Sequence, residues 1–521
     1  MGLRIIYGRA GSGKSEYCYQ EIAKEIEKNE KIFLITPEQF SFTAEKKLME
    51  AVKTEAVLQA EVIHLSRLAK RVIKEIGIKD DRMTKCGKAM LISHILTTQK
   101  KELKYLSKSE ENIDLSISSI TELKKHGVTV ERLKEQIEKT ENIYLKTKLQ
   151  DISIIYEQYD EQIKQSYIDE ADELTILAQN IEKIEWLKNS IIYIDEFAGF
   201  TYSEYHVIKE LIKYAKQVNI TITVDDLGKT LNPDTDIFYA NKITVKKLQK
   251  IVEQNELKQE KPIKLTEIKR FKTSELKYIE GHLFKTQSTK YEKKVENLSM
   301  FLAKNQYTEI EYIAKEITKL VKEKNKRYND IAIITKNIQN YSNLAKVIFE
   351  KYDIPIFIDE KRELSQNIII QYVLSIFEIL QKNYSKESVF QYAKMGFLDI
   401  EQGDIFKLEN YCTKWGIKQN KFKKDFVYEL EDNKQEVEYY NELRKRIIEP
   451  IEKLRQKIRK EKTAKAVTLA IYEFLKEQKI EEKISLKMQE LKQKNREDLV
   501  QEYKESYEIL INVLDEIVKI F

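Results

Sequence analysis

The chain has 521 residues, too many for one hydrophobic core, and ordinary domain sizes predict three or four folding units. Lys+Arg 91 against Asp+Glu 86 leave a formal net charge of only +5, which excludes a globally basic coat and makes any basic surface a local one. Three dispersed cysteines, Cys18, Cys86 and Cys412, form neither a disulfide framework nor a complete metal site and suit a reducing cytoplasm, and no run of ~18 apolar residues suggests a membrane span.

Gly 13 and Pro 5 are few for this length, so long helices should dominate. Residues 3–7 are a short apolar run that reads as a buried strand. It leads into Gly8-Arg9-Ala10-Gly11-Ser12-Gly13-Lys14-Ser15, which meets the pattern G-x-x-x-x-G-K-[ST] at every fixed position, and residues 15–28 read as a helix. In a strand–loop–helix of this kind, backbone N–H groups wrap phosphates and the helix N-terminus adds partial positive charge. Lys14 is then placed to reach the β- and γ-phosphates of ATP, and Ser15 to ligate Mg²⁺.

Residues 31–36 (KIFLIT) and 61–65 (EVIHL) read as further strands, the second followed by a helix through residue 76. Strands alternating with helices predict a parallel sheet. From 84 to 189 the strand signal disappears. Residues 103–125, 141–167 and 169–187 carry apolar positions at three-to-four spacing, as packed helices do. The sheet pattern resumes at 191–194, ending in Asp195-Glu196, and at 219–224, ending in Asp225-Asp226. Thr201 and Glu204 have the spacing of a capping box for the helix between. A second α/β pattern follows, with strands expected at 298–302, 330–335 and 354–359 and a helix at 308–324. Beyond about 366 the chain reads as helical to its end. The predicted organisation is a first α/β domain in two parts, 1–83 and 190–295, around a helical insertion, 84–189. The start of a second, 296–365, precedes another helical insertion, 366–521. Three strands are too few for a finished sheet, so the sequence reads as the N-terminal part of a longer protein.

Asp195 and Glu196 are the natural second half of a nucleotide site, since an acidic residue at the end of a buried strand can hold Mg²⁺ and its neighbour can polarise the attacking water. Gln39, just beyond the second strand, and Arg67, Lys70 and Arg71, beyond the third, stand at the same sheet edge, where parallel sheets bind ligands. His64, His94, His126, His206 and His282 have no metal spacing, and Trp186 and Trp415 read as core. No carboxylate cluster suggests a nuclease centre.

Together GRAGSGKS, TPEQF, EVIHLSRLAKRV, IIYIDEFAGFT, RYNDIAIIT and YDIPIFIDEK resemble, in order along the chain, the AddB subunit of AddAB-type ATP-dependent helicase–nucleases. The resemblance implies RecA-like P-loop domains of superfamily 1 helicase type with large all-α insertions, and a partner, the AddA-type subunit, that supplies the motor. It implies the processing of DNA double-strand ends for recombinational repair, with single-stranded DNA scanned for the Chi sequence. A nuclease domain and a 4Fe–4S cluster are implied in a C-terminal region not represented here. Carried over by motif, Gly8 to Ser15 bind ATP, while Gln39, Ser41, Leu65, Arg67 and Lys70 line the DNA strip. Lys70 stands where relatives can carry Trp, a residue suited to base stacking, and ITITVDDL lacks the Gln and aromatic pattern of active motors. Two other readings compete: a stand-alone P-loop kinase or other ATPase, and a non-hydrolysing scaffold with a relic loop.

Overall fold

The computed structural model describes residues 2–28, 30–53, 59–78, 82–106, 110–228, 232–285, 289–359, 364–428 and 434–521. A strand with apolar side chains on both faces must be covered on both sides, and residues 31–35 show how this chain meets that demand. Ile32 and Leu34 enter one core, Phe33 and Ile35 another, and all four are fully buried. This strand, β2 (Lys31–Ile35), lies in a sheet with β1 (Leu3–Gly8), β3 (Ala60–Ile63), β4 (Ser190–Ile194), β5 (Gln217–Thr223) and the short β6 (Ile263–Lys264). All pairings are parallel and the order is β3-β2-β4-β5-β1-β6.

One face is covered by α1 (Lys14–Glu27) and α2 (Ser41–Val52), which bring Cys18, Tyr19, Ile22, Ala44 and Leu48 onto Ile6, Leu34, Val62 and Tyr193. On the other lie α3 (Leu65–Glu75), α10 (Tyr202–Tyr214) and α11 (Tyr239–Gln254), through Leu68, Val72, Ile208, Leu211, Val245 and Leu248. The capping box read from Thr201 and Glu204 is present at the start of α10.

Between α3 and β4 the chain is helical: α4 (Lys85–Thr98), α5 (Glu110–Lys125), α6 (Val130–Lys139), α7 (Ile143–Ser166), α8 (Glu173–Asn180) and α9 (Glu185–Lys188). Residues 107–109, inside the helix expected at 103–125, lie outside the described residues, and the helix expected at 169–187 is broken into short pieces. The insertion has a polar centre. Lys124 Nζ lies 3.0, 3.1 and 2.7 Å from Asp160, Asp169 and Asp172, and Lys88 Nζ lies 2.7 Å from Asp169. Burial would discharge Lys124, but the carboxylates outweigh it and hold the ammonium more basic than usual.

Met1–Ser299 and Met300–Phe521 are separate compact units. In the second, α13 (Gln306–Lys324) and α14 (Ser342–Lys351) share a small core of Ile310, Ala314, Ile317, Ala345, Ile348, Phe349 and Ile354. The strands expected at 298–302, 330–335 and 354–359 do not form among the described residues. Each segment has a strand's apolar composition, but no ladder pairing forms among the described residues. Met300, Leu302, Ile334 and Phe357 are accordingly 98, 94, 94 and 90 % exposed. The rest of the unit is helical: α15 (Ile368–Gln381), α16 (Lys386–Ala393), α17 (Gln402–Lys414), α18 (Lys434–Lys460), α19 (Ala464–Glu477), α20 (Ile480–Gln493) and α21 (Glu497–Ile520). They enclose a core that includes Tyr372, Ile379, Phe390, Cys412, Ile447 and Ile451. Among the described residues no helix is long and apolar enough to cross a membrane.

Candidate functional site

The site grows from the carboxyl end of β1. Gly8 ends the strand where a Cβ would stand 2.4 Å from the Leu265 carbonyl oxygen, so only glycine fits. Gly11 and Gly13 take φ of 77° and 81°, the left-handed region that turns the loop back into α1. The loop is closed from outside by the segment after β6. Leu265 N donates to Tyr7 O at 2.8 Å, and Lys269 N and Arg270 N donate to Gly11 O at 2.8 and 3.1 Å.

Lys14 Nζ donates to the carbonyls of Gly8 and Arg9, both at 3.1 Å. Burial lowers its pKa, while Asp195 and Glu196 oppose that shift and Arg270 adds to it. Across from it, β4 ends in Asp195 and Glu196. β5 lies between β1 and β4 and contributes Thr221, whose hydroxyl donates to Asp195 Oδ1. Asp195 is 1 % exposed, and its Oδ2 is buried without a hydrogen-bond partner among the described residues. Glu196 takes a positive φ of 66° and accepts from the Ser15 hydroxyl at 3.0 Å. The loop and the acidic pair, more than 180 residues apart in sequence, are thus joined by one direct hydrogen bond.

These groups line a cavity of about 830 Å³, with Tyr19, Thr223, Asn241, Lys269 and Arg270 completing the wall. Lys269 and Arg270 escaped the sequence analysis because they sit on an irregular segment with no periodic signal. Arg9 is drawn away from the cradle. Its guanidinium pairs with Glu280 of α12 (Ser274–His282) at 2.9 Å and lies 5.1 Å from the Phe238 ring centroid. Asp225 and Asp226, beyond β5, are clamped by the buried Lys242 ammonium at 3.1 and 2.9 Å, with Asp236 at 2.8 Å.

The residues available fit Mg²⁺ delivered with a nucleotide: an orphaned carboxylate oxygen on Asp195, the Ser15 hydroxyl bonded to the adjacent Glu196, and Lys14, Lys269 and Arg270 in the same lining for phosphates. Among the described residues no group of three or more His, Cys, Asp or Glu can hold a metal on its own, and the three cysteines are separate free thiols.

The other expected site residues fall along the neighbouring strand ends. Thr36 N donates to Ile63 O at 3.2 Å, bringing the ends of β2 and β3 together. Gln39, on a 3₁₀ turn after β2, is exposed, as are Arg67 and Lys70 on α3, while Ser41 is half-buried. Leu65 departs from this pattern. It is 6 % exposed because it faces the sheet core, so its side chain offers no open surface to a ligand. Arg71 is also engaged elsewhere, paired with Glu61 at 2.7 Å and lying 4.2 Å from the Trp186 ring centroid.

A parallel α/β sheet with a glycine-bounded loop after β1 and an acidic pair facing that loop defines the class of α/β protein to which the chain belongs. The chain belongs to the AddB family, whose N-terminal region ("ADDB, N-terminal") matches residues 5–280. Along its whole length it is similar to proteins named as the B subunit of an ATP-dependent helicase/deoxyribonuclease. It is 38 % identical to that of Caldanaerobacter subterraneus subsp. tengcongensis, 38 % to that of Clostridium kluyveri and 39 % to that of Clostridium tetani. Each comparison covers 100 % of this chain and 46, 47 and 48 % of the respective relative. The chain spans about half the length of the curated relatives it matches.

Proposed function

We propose that this chain is the ATP-binding, single-stranded-DNA-engaging part of an AddB-type protein that works with an AddA-type partner on DNA double-strand ends and reads Chi. The observation that carries the nucleotide site is the facing of Lys14 and Ser15 by Asp195 and Glu196, with Asp195 Oδ2 left without a partner. Bound with ATP, Mg²⁺ would neutralise charge on the β- and γ-phosphates from a position beside Ser15 and Asp195. Lys14 exchanges its two carbonyl contacts for phosphate oxygens, whose negative charge offsets the cost of burying the ammonium. Glu196 orients water when freed from Ser15, and Arg270 extends the cationic wall. We assign the sheet and its helical insertion to a first RecA-like domain of superfamily 1 type, and residues 296–365 to the start of a second with its insertion at 366–521. Gln39, Ser41, Arg67 and Lys70 form the proposed DNA strip, with Leu65 serving to seat α3.

ATP turnover, measured with and without single-stranded DNA and with and without the AddA-type partner, tests this reading. DNA-stimulated turnover that requires the partner is expected. Turnover on a small-molecule acceptor, independent of DNA, would favour a stand-alone kinase or ATPase, and absence of ATP binding would leave a scaffold.

A further inference from the structure

The second unit carries a basic surface that the nucleotide site does not explain. Residues 414–424 (KWGIKQNKFKK) hold five lysines and no acidic residue, within a chain that is close to charge-balanced. Some lysines of this unit are neutralised, such as Lys382 by Glu378, Lys394 by Glu409, Lys457 by Glu473 and Glu477, and, within the segment itself, Lys423 by Glu452 at 3.5 Å. Among the described residues Lys414, Lys418 and Lys421 have no carboxylate within ion-pair distance, and all three are exposed. Asp425, the first acid to follow, is taken by the buried Arg444.

The loop is held from behind. Ile417 and Phe422 are each 1 % exposed, Arg444 donates to Phe422 O at 3.1 Å, and Gln419 N donates to Tyr384 O at 2.8 Å. The lysines are therefore presented on a fixed frame. Trp415 and Tyr428 stack at 5.1 Å and 10°, with Lys414 Nζ 5.6 Å from the Trp415 ring centroid and Lys421 Nζ 5.7 Å from that of Tyr428. On the other side of the same loop, Lys386 donates to the Thr413 hydroxyl at 3.2 Å. Lys386 and Lys418, with Ser385, Gln419 and one carboxylate, Glu387, line a cleft of about 360 Å³.

We propose that this face binds the phosphate backbone of nucleic acid, as a second contact separate from the sheet edge of the first unit. Ammonium groups without a carboxylate partner, with Lys421 Nζ donating only to Gly416 O at 3.3 Å, beside a stacked aromatic pair suit a polyphosphate strand, which releases counterions on binding and lays bases beside rings. An anionic membrane is the poorer fit, because Lys414 ends α17 and Lys418 and Lys421 follow on a loop and a short 3₁₀ turn, not along one helix with an exposed apolar face.

The test uses the whole chain, without nucleotide, titrated with fluorescent single-stranded and duplex DNA over a range of salt. Lys414→Ala/Lys418→Ala/Lys421→Ala should lower the log-salt slope by about 2 on single strands and about 3 on duplex. Lys382→Ala/Lys457→Ala, which removes paired lysines of the same unit, should leave it unchanged. Because the chain has only two tryptophans, a Trp186→Phe background makes Trp415 the sole indole reporter, and DNA should quench it. An unchanged slope in the triple variant, or a silent Trp415, overturns the proposal. So does lysine-dependent binding of phosphatidylserine vesicles without DNA binding. If binding is instead lost only on Gln39→Ala and Arg67→Ala, this face is refuted and the sheet-edge strip stands.

Discussion

At the scale of single residues, the cradle separates the roles of side chain and backbone. Lys14→Ala removes one charge-assisted partner for the phosphates and nothing from the core, so Mg-ATP affinity should fall by ~1.5–3 kcal/mol with the fold intact. Isothermal titration of both proteins checks this, and equal affinities would remove the phosphate-loop assignment. Gly8→Ala should act differently. Its Cβ would meet a backbone oxygen at 2.4 Å rather than the end of a flexible side chain, so either the loop or the segment around Leu265 must shift. Loss of thermal stability together with loss of nucleotide binding is the expected result. A variant as stable as the parent would show that the 265–270 segment does not hold the loop.

At the scale of elements, α3 carries Arg67 and Lys70 and starts at a titratable cap. His64 accepts from Arg67 N at 3.2 Å, which needs an unprotonated ring nitrogen. Burial lowers the His64 pKa, opposed by Glu38 and reinforced by Lys70 and Arg67. The native state therefore binds fewer protons than the unfolded chain, and the cap's contribution is full above the ordinary histidine range and lost as pH falls through it. Melting curves at pH 8 and pH 5 should differ less in His64→Asn, a cap that does not titrate, than in the parent. Equal pH dependence in the two proteins would show that the cap contributes nothing.

Much of this level was legible in the sequence. The strands at 31–36 and 191–194 were readable because both faces are apolar, and the loop because its glycines and lysine have fixed spacing. Asp195-Glu196 was readable because an acidic pair ended a buried run. Lys269 and Arg270 were not, since their place depends on β6, a two-residue strand, leading the chain over the loop. Nor could composition show that Leu65 turns inward, or that the apolar runs at 330–335 and 354–359 form no strands among the described residues. The buried lysine clusters were equally hidden, because a lysine on a helix normally reads as solvated. Lys124→Ala would leave Asp169 to Lys88 and remove the shared ammonium from Asp160 and Asp172, and loss of a buried partner typically costs about 3–5 kcal/mol. Chemical denaturation of the parent and Lys124→Ala measures it, and a difference below ~1 kcal/mol would show that water replaces the ammonium.

At the scale of the whole chain, the two units differ in what they have completed. The first has a six-stranded parallel sheet with both faces covered and an acidic pair meeting the loop. The second packs two helices over extended segments that form no strands among the described residues. Strand separation needs two nucleotide-linked bodies that close and open in turn, and among the described residues only one has a formed sheet edge. DNA hydrolysis needs clustered carboxylates around a metal, and the described residues contain no such group. The purified 521-residue chain should therefore bind Mg-ATP and DNA yet neither unwind nor degrade it. A forked duplex with a fluorophore and quencher on opposite strands reads the first, and end-labelled linear DNA the second, both with saturating Mg-ATP. Binding measured in the same preparation shows whether the protein is folded, so absence of activity is informative. Robust unwinding would mean that one formed sheet suffices, and robust degradation would place a metal centre in residues that the present geometry does not bring together.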